Sequence, residues 1–184
     1  IFRPMGGVNR VRVSVQVQNL QPHEKGATFD LVTTLDDQLG ALWEAESQML
    51  CRGVKLTGEP VEDELASTLE MSEVARWKAP SDIGRQYAKV SGDYNPIHLS
   101  AISAKLFGFP TAIAHGLWNK ARTLAALADH LPAANVEIAV QFRKPVRLPS
   151  EVTLLASAAG SSGDLLLVGA GDLEHMAGHW RPVA

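Results

Sequence analysis

Val11, Val13, Val15 and Val17 alternate with Arg12, Ser14, Gln16 and Gln18 near the start of the chain, and this period of two predicts a half-buried strand. Residues 1–10, with Pro4, Gly6 and Gly7, read as an irregular lead-in. Past a turn at residues 21–26, Phe29, Leu31 and Thr33 line one side of a second strand; Gly40 breaks the pattern, and residues 42–50 complete a three-stranded antiparallel unit. Periodicity is then lost from 52 to 71, where Gly53, Gly58 and Pro60 stand near Glu59, Glu62, Asp63 and Glu64, the marks of an exposed acidic linker. Pro80-Ser81-Asp82 is a helix entry in which Ser81 or Asp82 can cap free N–H groups, and Ile83, Tyr87 and Val90 recur at helical spacing. Residues 93–96 form a loop, because the residue before a proline is pushed out of the helical region, and 100–107 a short helix stopped by Gly108. Residues 116–131 carry the longest apolar helix pattern, with Leu117, Ala121, Leu124, Ala128 and Leu131 on one stripe widened by Trp118 and Ala125. Strands are expected at 136–142, 151–159, 165–171 and 174–181. One long helix followed by a meander predicts an α+β fold with an antiparallel sheet wrapped around that helix.

Composition narrows the picture only a little. With 184 residues, 46% hydrophobic and 20% charged, the chain suits one compound domain with a core of useful size. A net charge of −3 supplies no basic face for nucleic acid. No stretch approaches a membrane span and no signal peptide is evident, so no membrane partner is expected. The single cysteine, Cys51, excludes an internal disulfide, reads as a small buried apolar residue and fits a reducing, cytoplasmic compartment.

The candidate chemistry lies between Tyr87 and Gly116. Tyr87-Ala88, Ser91-Gly92-Asp93, Asn95-Pro96, His98, Ala104, Gly108-Phe109 and Ile113-Ala114-His115-Gly116 follow one another at spacings that resemble the hydratase motif of the MaoC-like acyl dehydratases, the (R)-specific enoyl-CoA hydratase group. The resemblance implies a hot-dog fold and a hydro-lyase of fatty acid or related acyl metabolism, interconverting trans-2-enoyl and (R)-3-hydroxyacyl thioesters. It also suggests a double hot-dog: residues 1–57 as a degenerate first half without its own helix, 58–76 as linker, 77–184 as the hydratase half. No cofactor is expected beyond the coenzyme A or phosphopantetheine of the substrate. The expected partners are that acyl thioester, with acyl carrier protein as one of the two carriers, and a second copy in a homodimer.

Hydrating a double bond conjugated with a thioester needs a base for water, an acid for the α-carbon and a holder for the enolate charge. Asp93 and His98 stand five residues apart across an Asn-Pro turn, a spacing that can set carboxylate and imidazole on either side of one water. By resemblance this pair is catalytic and the Gly116 N–H serves the oxyanion. Gly116 is also a helix-start donor at the positive end of the dipole. Asn95 is expected to fix the loop, with Ser91 and His115 supporting the pair from behind.

Blander alternatives stand beside these. Gly-Asp and Asn-Pro are ordinary turn formers. Asp93, His98 and His115 could ligate a metal, but no compact His-x-x-x-His or Cys pair accompanies them and none is expected. His175 and His179 read as surface histidines. Arg143, Lys144 and Arg147 form the densest basic cluster, either a solvated strand end or a contact for substrate phosphates. The family's Gly-Asp turn nearby is replaced here by Pro149-Ser150. A hot-dog thioesterase and a non-catalytic acyl-binding module remain as alternatives to the hydro-lyase.

Overall fold

The computed structural model describes all residues except 5, 61–64, 66–69 and 184. The acidic run expected at 62–64 therefore lies outside the described residues. The chain divides into two compact units, Ile1–Glu64 with Pro132–Glu137 and Pro182–Ala184, and Leu65–Leu131 with Ile138–Arg181.

The first unit is built on three antiparallel strands in the order β1-β2-β3: β1 Arg12–His23, β2 Gly26–Asp37 and β3 Gly40–Arg52. All three expected strands are present, joined by tight turns at Gly26 and Gly40. The lead-in is tied down as well: Phe2 N–H donates to the Leu42 carbonyl at 3.0 Å, and the Arg3 guanidinium reaches Asp37 and the Gly40 carbonyl. The expected half-burial of β1 is not what the structure shows. Val11, Val13, Val15 and Val17 are between 41% and 68% exposed. Alternation marks a strand, but burial depends on what covers its face. Here Val13 lies beside Leu35 and Val17 beside Leu31 with that face left open. Cys51 is likewise exposed, at the end of β3, rather than buried.

The second unit holds a five-stranded antiparallel sheet of order β4-β6-β7-β8-β5, from β4 Ser72–Ala79, β5 Val136–Phe142, β6 Ser150–Ala156, β7 Gly163–Val168 and β8 Glu174–Pro182. β4 takes up the last residues of the stretch read as linker. Its fully buried core includes Val152, Leu154, Leu165, Leu167, Met176 and Trp180. Gly163 lies under the Trp180 ring with no room for a Cβ. Among the described residues four α-helices complete the unit, α1 Ile83–Ser91, α2 Pro96–Leu99, α3 Ala101–Leu106 and α4 Gly116–Ala126, with a 3-10 turn at Ala170–Asp172. Asp82 is the N-cap of α1 but does not cap with its side chain, which accepts instead from the Gln86 amide at 2.7 Å. Among the described residues no helix is long and apolar enough to cross a membrane.

α4 runs between the two edge strands of this sheet: Gly116 meets the Phe142 ring of β5, and Arg122 lies over the Trp77 ring of β4. It is shorter than expected, because residues 127–131 wind into turns closed by His130 and Leu131 N–H groups on the Leu127 carbonyl. Its buried face also differs from the expected stripe. Leu117 is 61% exposed and Ala121, Ala125 and Ala128 are exposed, whereas Asn119, Thr123 and Leu127 are buried below His115. Those four lie at i, i+4, i+8 and i+12, a single row on a helix, while Leu117 starts about 200° around it. Alanines on several sides leave hydrophobicity a weak guide to the phase of this helix. The buried row instead begins at His115, the residue before the first turn.

Candidate active site

The site grows out of the C-terminus of α1. Gly92 takes a left-handed conformation (φ 75°) and its N–H caps the helix on the Ala88 carbonyl at 2.9 Å. Ser91 Oγ donates to the Tyr87 carbonyl and accepts from Asp93 N–H at 3.2 Å, turning the chain out of the helix. The Asp93 carboxylate then accepts Asn95 N–H at 3.1 Å, and Asn95 Oδ1 accepts Ile97 N–H at 3.3 Å as the N-cap of α2, with Pro96 in the first helical position. Asn95 thus joins the loop to the first turn of α2. Ser100 caps α3 in the same way, accepting Ser103 N–H at 3.1 Å, while Ser103 Oγ returns to the Pro96 carbonyl at 2.7 Å.

This run of short bonds delivers two side chains to one place. His98 is 8% exposed, and its Nδ1 donates to the Ile113 carbonyl at 2.8 Å. A carbonyl can only accept, so the proton sits on Nδ1 and Nε2 keeps its lone pair. Burial pushes the imidazole below its ordinary value; the Ile113 bond opposes this, His115 reinforces it, and the Asp93 charge opposes it more weakly. Asp93, by contrast, has its side chain 52% exposed at the rim. One donor atom each from Asp93, His98 and His115 falls within 4.8 Å of the others. Groups this close can share one hydrogen-bonded water.

His115, 3% exposed, closes the third side. Its Nε2 donates to the Asp93 backbone carbonyl at 3.0 Å and lies 3.7 Å from the carboxylate. Its ring stacks on His98 with centroids 3.7 Å apart, and the Tyr87 ring lies tilted against it at 5.0 Å. The three donors could be considered as metal ligands. His98 Nδ1 and His115 Nε2, however, already donate to backbone carbonyls and His115 Nδ1 is buried, which leaves few lone pairs for a tetrahedral ion.

The remaining expected site residues are placed as follows. Gly116 opens α4 directly after His115, and among the described residues its N–H has no backbone acceptor. The space a Cβ would need is bounded by the Phe142 ring, about 3.1 Å away. Residues 112–114 and 146–148 pair through Ala114 N–H to Val146 O, Leu148 N–H to Ala112 O and an Ile113–Arg147 bridge, which brings Arg147 close behind the site. Lys144 and Arg147 are exposed, but Arg143 is engaged by Glu174 and the Leu65 carbonyl. His175 is not a surface residue: it is 7% exposed and holds the Lys144 carbonyl at 3.0 Å, against Gly169. Three contributors escaped the sequence reading. They are the Ile113 carbonyl, the Phe142 ring and Gly84, which sits in α1 against the His98 carbonyl with no room for a side chain. Of these only Gly84 left a signal, a glycine inside a helix, where it costs stability unless a close approach needs it.

The chain is similar to known proteins over most of its length. A family model described as the MaoC like domain matches residues 54–165. The 3-hydroxyacyl-thioester dehydratase X of Mycobacterium tuberculosis is 37% identical over 168 residues, 90% of this chain and 59% of the relative, so the chain spans somewhat over half of that protein's length. The 3-hydroxybutyryl-CoA dehydratase of Methylorubrum extorquens is 38% identical over 76 residues, 40% of this chain and 48% of its own. The crystal structure of HtdX from Mycobacterium tuberculosis superposes with a TM-score of 0.77 at 32% identity, covering 94% of this chain and 67% of that one. The antiparallel sheet crossed by one helix is thus the hot-dog architecture expected from the motif. With more than half of its length matched, and Asp93, His98 and His115 all inside the matched span, the chain belongs to the MaoC-like domain family.

Proposed function

We propose that the chain is a hydro-lyase that adds water to trans-2-enoyl thioesters to give (R)-3-hydroxyacyl thioesters, and catalyses the reverse. One observation carries this reading: a buried His98, its Nδ1 proton held by the Ile113 carbonyl, has a ring nitrogen within 4.8 Å of the Asp93 carboxylate. Relatives named as a 3-hydroxyacyl-thioester dehydratase, a 3-hydroxybutyryl-CoA dehydratase and an (R)-specific enoyl-CoA hydratase support it. In the hydration direction one O–H bond of water breaks, its proton passing to the pair, and the oxygen bonds to the β-carbon. The double-bond electrons move toward the thioester carbonyl as an enolate, and a proton returned by the pair closes the α-carbon. The Gly116 N–H, at the positive end of α4, is the group we assign to the developing oxyanion. His98, favoured as the neutral imidazole by burial, suits the proton-accepting step. Neither coenzyme A nor phosphopantetheine is a resident cofactor in this scheme; each is the handle of the substrate. Lys144 and Arg147, the exposed members of the basic cluster, are assigned to its phosphates.

The thioesterase alternative finds less support, because α4 carries no acidic residue between Gly116 and Ala126. In the same reading, residues 1–57 are the degenerate hot-dog half and 77–184 the hydratase half, to which β4 adds residues 72–76 of the expected linker 58–76. The decisive experiment is hydration of crotonyl-, octenoyl- and dodecenoyl-CoA followed at the enone absorbance, with the hydroxy product assigned by chiral separation. Turnover to the (R)-alcohol is the expected result. No turnover on any of the three, with wild-type protein shown to bind them, would leave an acyl-binding module.

A further inference from the structure

We propose that His115 is a positioning residue that holds both members of the acid–base pair at once, carrying the Asp93 main chain on its Nε2–H and the His98 imidazole on its ring face. The proposal rests on the assignment of Asp93 and His98 as the reacting pair, and it gives the third ring in the cluster a task separate from theirs.

The first support is connectivity. The Asp93 carbonyl accepts from Nε2 at 3.0 Å, so the loop that carries the carboxylate is tied to the first residue before α4. Without that bond, Asp93 is held only from within its own loop, by Ser91 and Asn95. The second support is the stack. Rings 3.7 Å apart and tilted by only 24° fix the plane in which His98 Nε2 points, while the Ile113 carbonyl fixes only its other edge. Tyr87, from α1, also packs against the His115 ring, tilted at 5.0 Å. The charged or titratable groups around His98 are Asp93 from the loop and His115 from the start of α4; Arg85 of α1 lies nearby, on the Leu99 carbonyl.

The third support is a cost. Donating from Nε2 leaves His115 Nδ1 as a bare lone pair, and that atom is buried with no partner among the described residues. An unsatisfied buried polar atom costs about 1–3 kcal/mol, which a leucine or phenylalanine filling the same space would avoid. Packing alone therefore favours an apolar side chain here. A histidine is explained by its other nitrogen, the one that reaches Asp93.

The test uses the full chain with two variants that split the two tasks. His115→Phe keeps a ring face and removes the N–H; His115→Gln keeps an N–H donor and removes the ring. His115→Phe is expected to lower kcat on the order of 10–10²-fold with KM little changed, the usual effect of a small misplacement of a reacting group. His115→Gln is expected to retain more of kcat and to raise the titration midpoint of His98, read by NMR of the ring carbons, by about half a unit or more, as solvent and a free edge reach the imidazole. The NMR measurement needs no turnover, so it remains informative even if the hydro-lyase assignment fails. Two folded variants with wild-type kcat and an unmoved His98 titration would overturn the proposal. So would variants that lose only thermal stability while both readouts stay at the wild-type value.

Discussion

Gly84, one turn before Tyr87 in α1, lies directly against the backbone carbonyl of His98, so closely that no Cβ can be accommodated without moving one of them. The helix that ends in the Ser-Gly-Asp loop and His98, which we assign as the buried half of the pair, thus meet through main chain. Gly84→Ala is expected to displace α2, lower stability by about 1–3 kcal/mol as overpacking does, and reduce turnover more than it weakens substrate binding. Chemical denaturation and steady-state kinetics check both; an alanine variant as active and as stable as wild type would show that the contact yields freely.

Removing either reacting group tests the pair itself. Asp93→Asn and His98→Gln are each expected to lower kcat on the order of 10²–10⁴-fold, the weight of general acid–base catalysis. Because both are assigned to one water, the double variant is expected to be little worse than the weaker single. Folded single variants with near-wild-type turnover would remove the pair from the reaction.

The buried imidazole also predicts a pH dependence of definite sign. Burial holds His98 below the ordinary histidine value of 6.5, so the native state favours its neutral form. The stability this contributes is complete above 6.5 and is lost as pH falls through the lower native value. The acid limb of kcat/KM, which reports the free enzyme, is expected to lie below 6.5 as well. Denaturation curves at stepped pH, with His98→Gln as control, check the first statement and a pH–rate profile the second. An acid limb above the ordinary value would contradict the assigned base.

Thr123 offers a test of the buried row on α4. It is fully buried and its hydroxyl has no partner among the described residues. Thr123→Val keeps the shape and removes the orphaned group, so stability is expected to stay level or rise by about 1–2 kcal/mol. A fall in the denaturation midpoint would mean that the hydroxyl is bonded, to an internal water for instance, and that the row is a polar network rather than a tolerated cost.

Much of this was legible in the residues before any coordinates, for reasons that differ by element. Strands announced themselves because alternation and turn residues are local, and the Asp93–His98 loop because its bonds link residues a few positions apart. What failed was burial. The Val11–Val17 row is apolar and open, and Cys51 is small and exposed, because the covering of a face depends on distant elements. The buried row of α4 escapes the apolar pattern for a related reason: His115, Asn119 and Thr123 are polar, and the His115 bond to Asp93, 22 positions upstream, leaves no periodicity within the helix. Asp82 looked like a cap, but its carboxylate is taken by Gln86.

The loop around Asp93 is held by Ser91 Oγ, Asn95 Oδ1, the Gly92 cap and the Asp93 carbonyl, none of which depends on the aspartate being charged. Even the bond its side chain accepts from Asn95 N–H could be accepted equally by an amide oxygen. The frame is therefore indifferent to the reactive group mounted on it. A lineage carrying this loop can exchange, retune or retire its chemistry through single substitutions at that position while the backbone geometry is inherited intact.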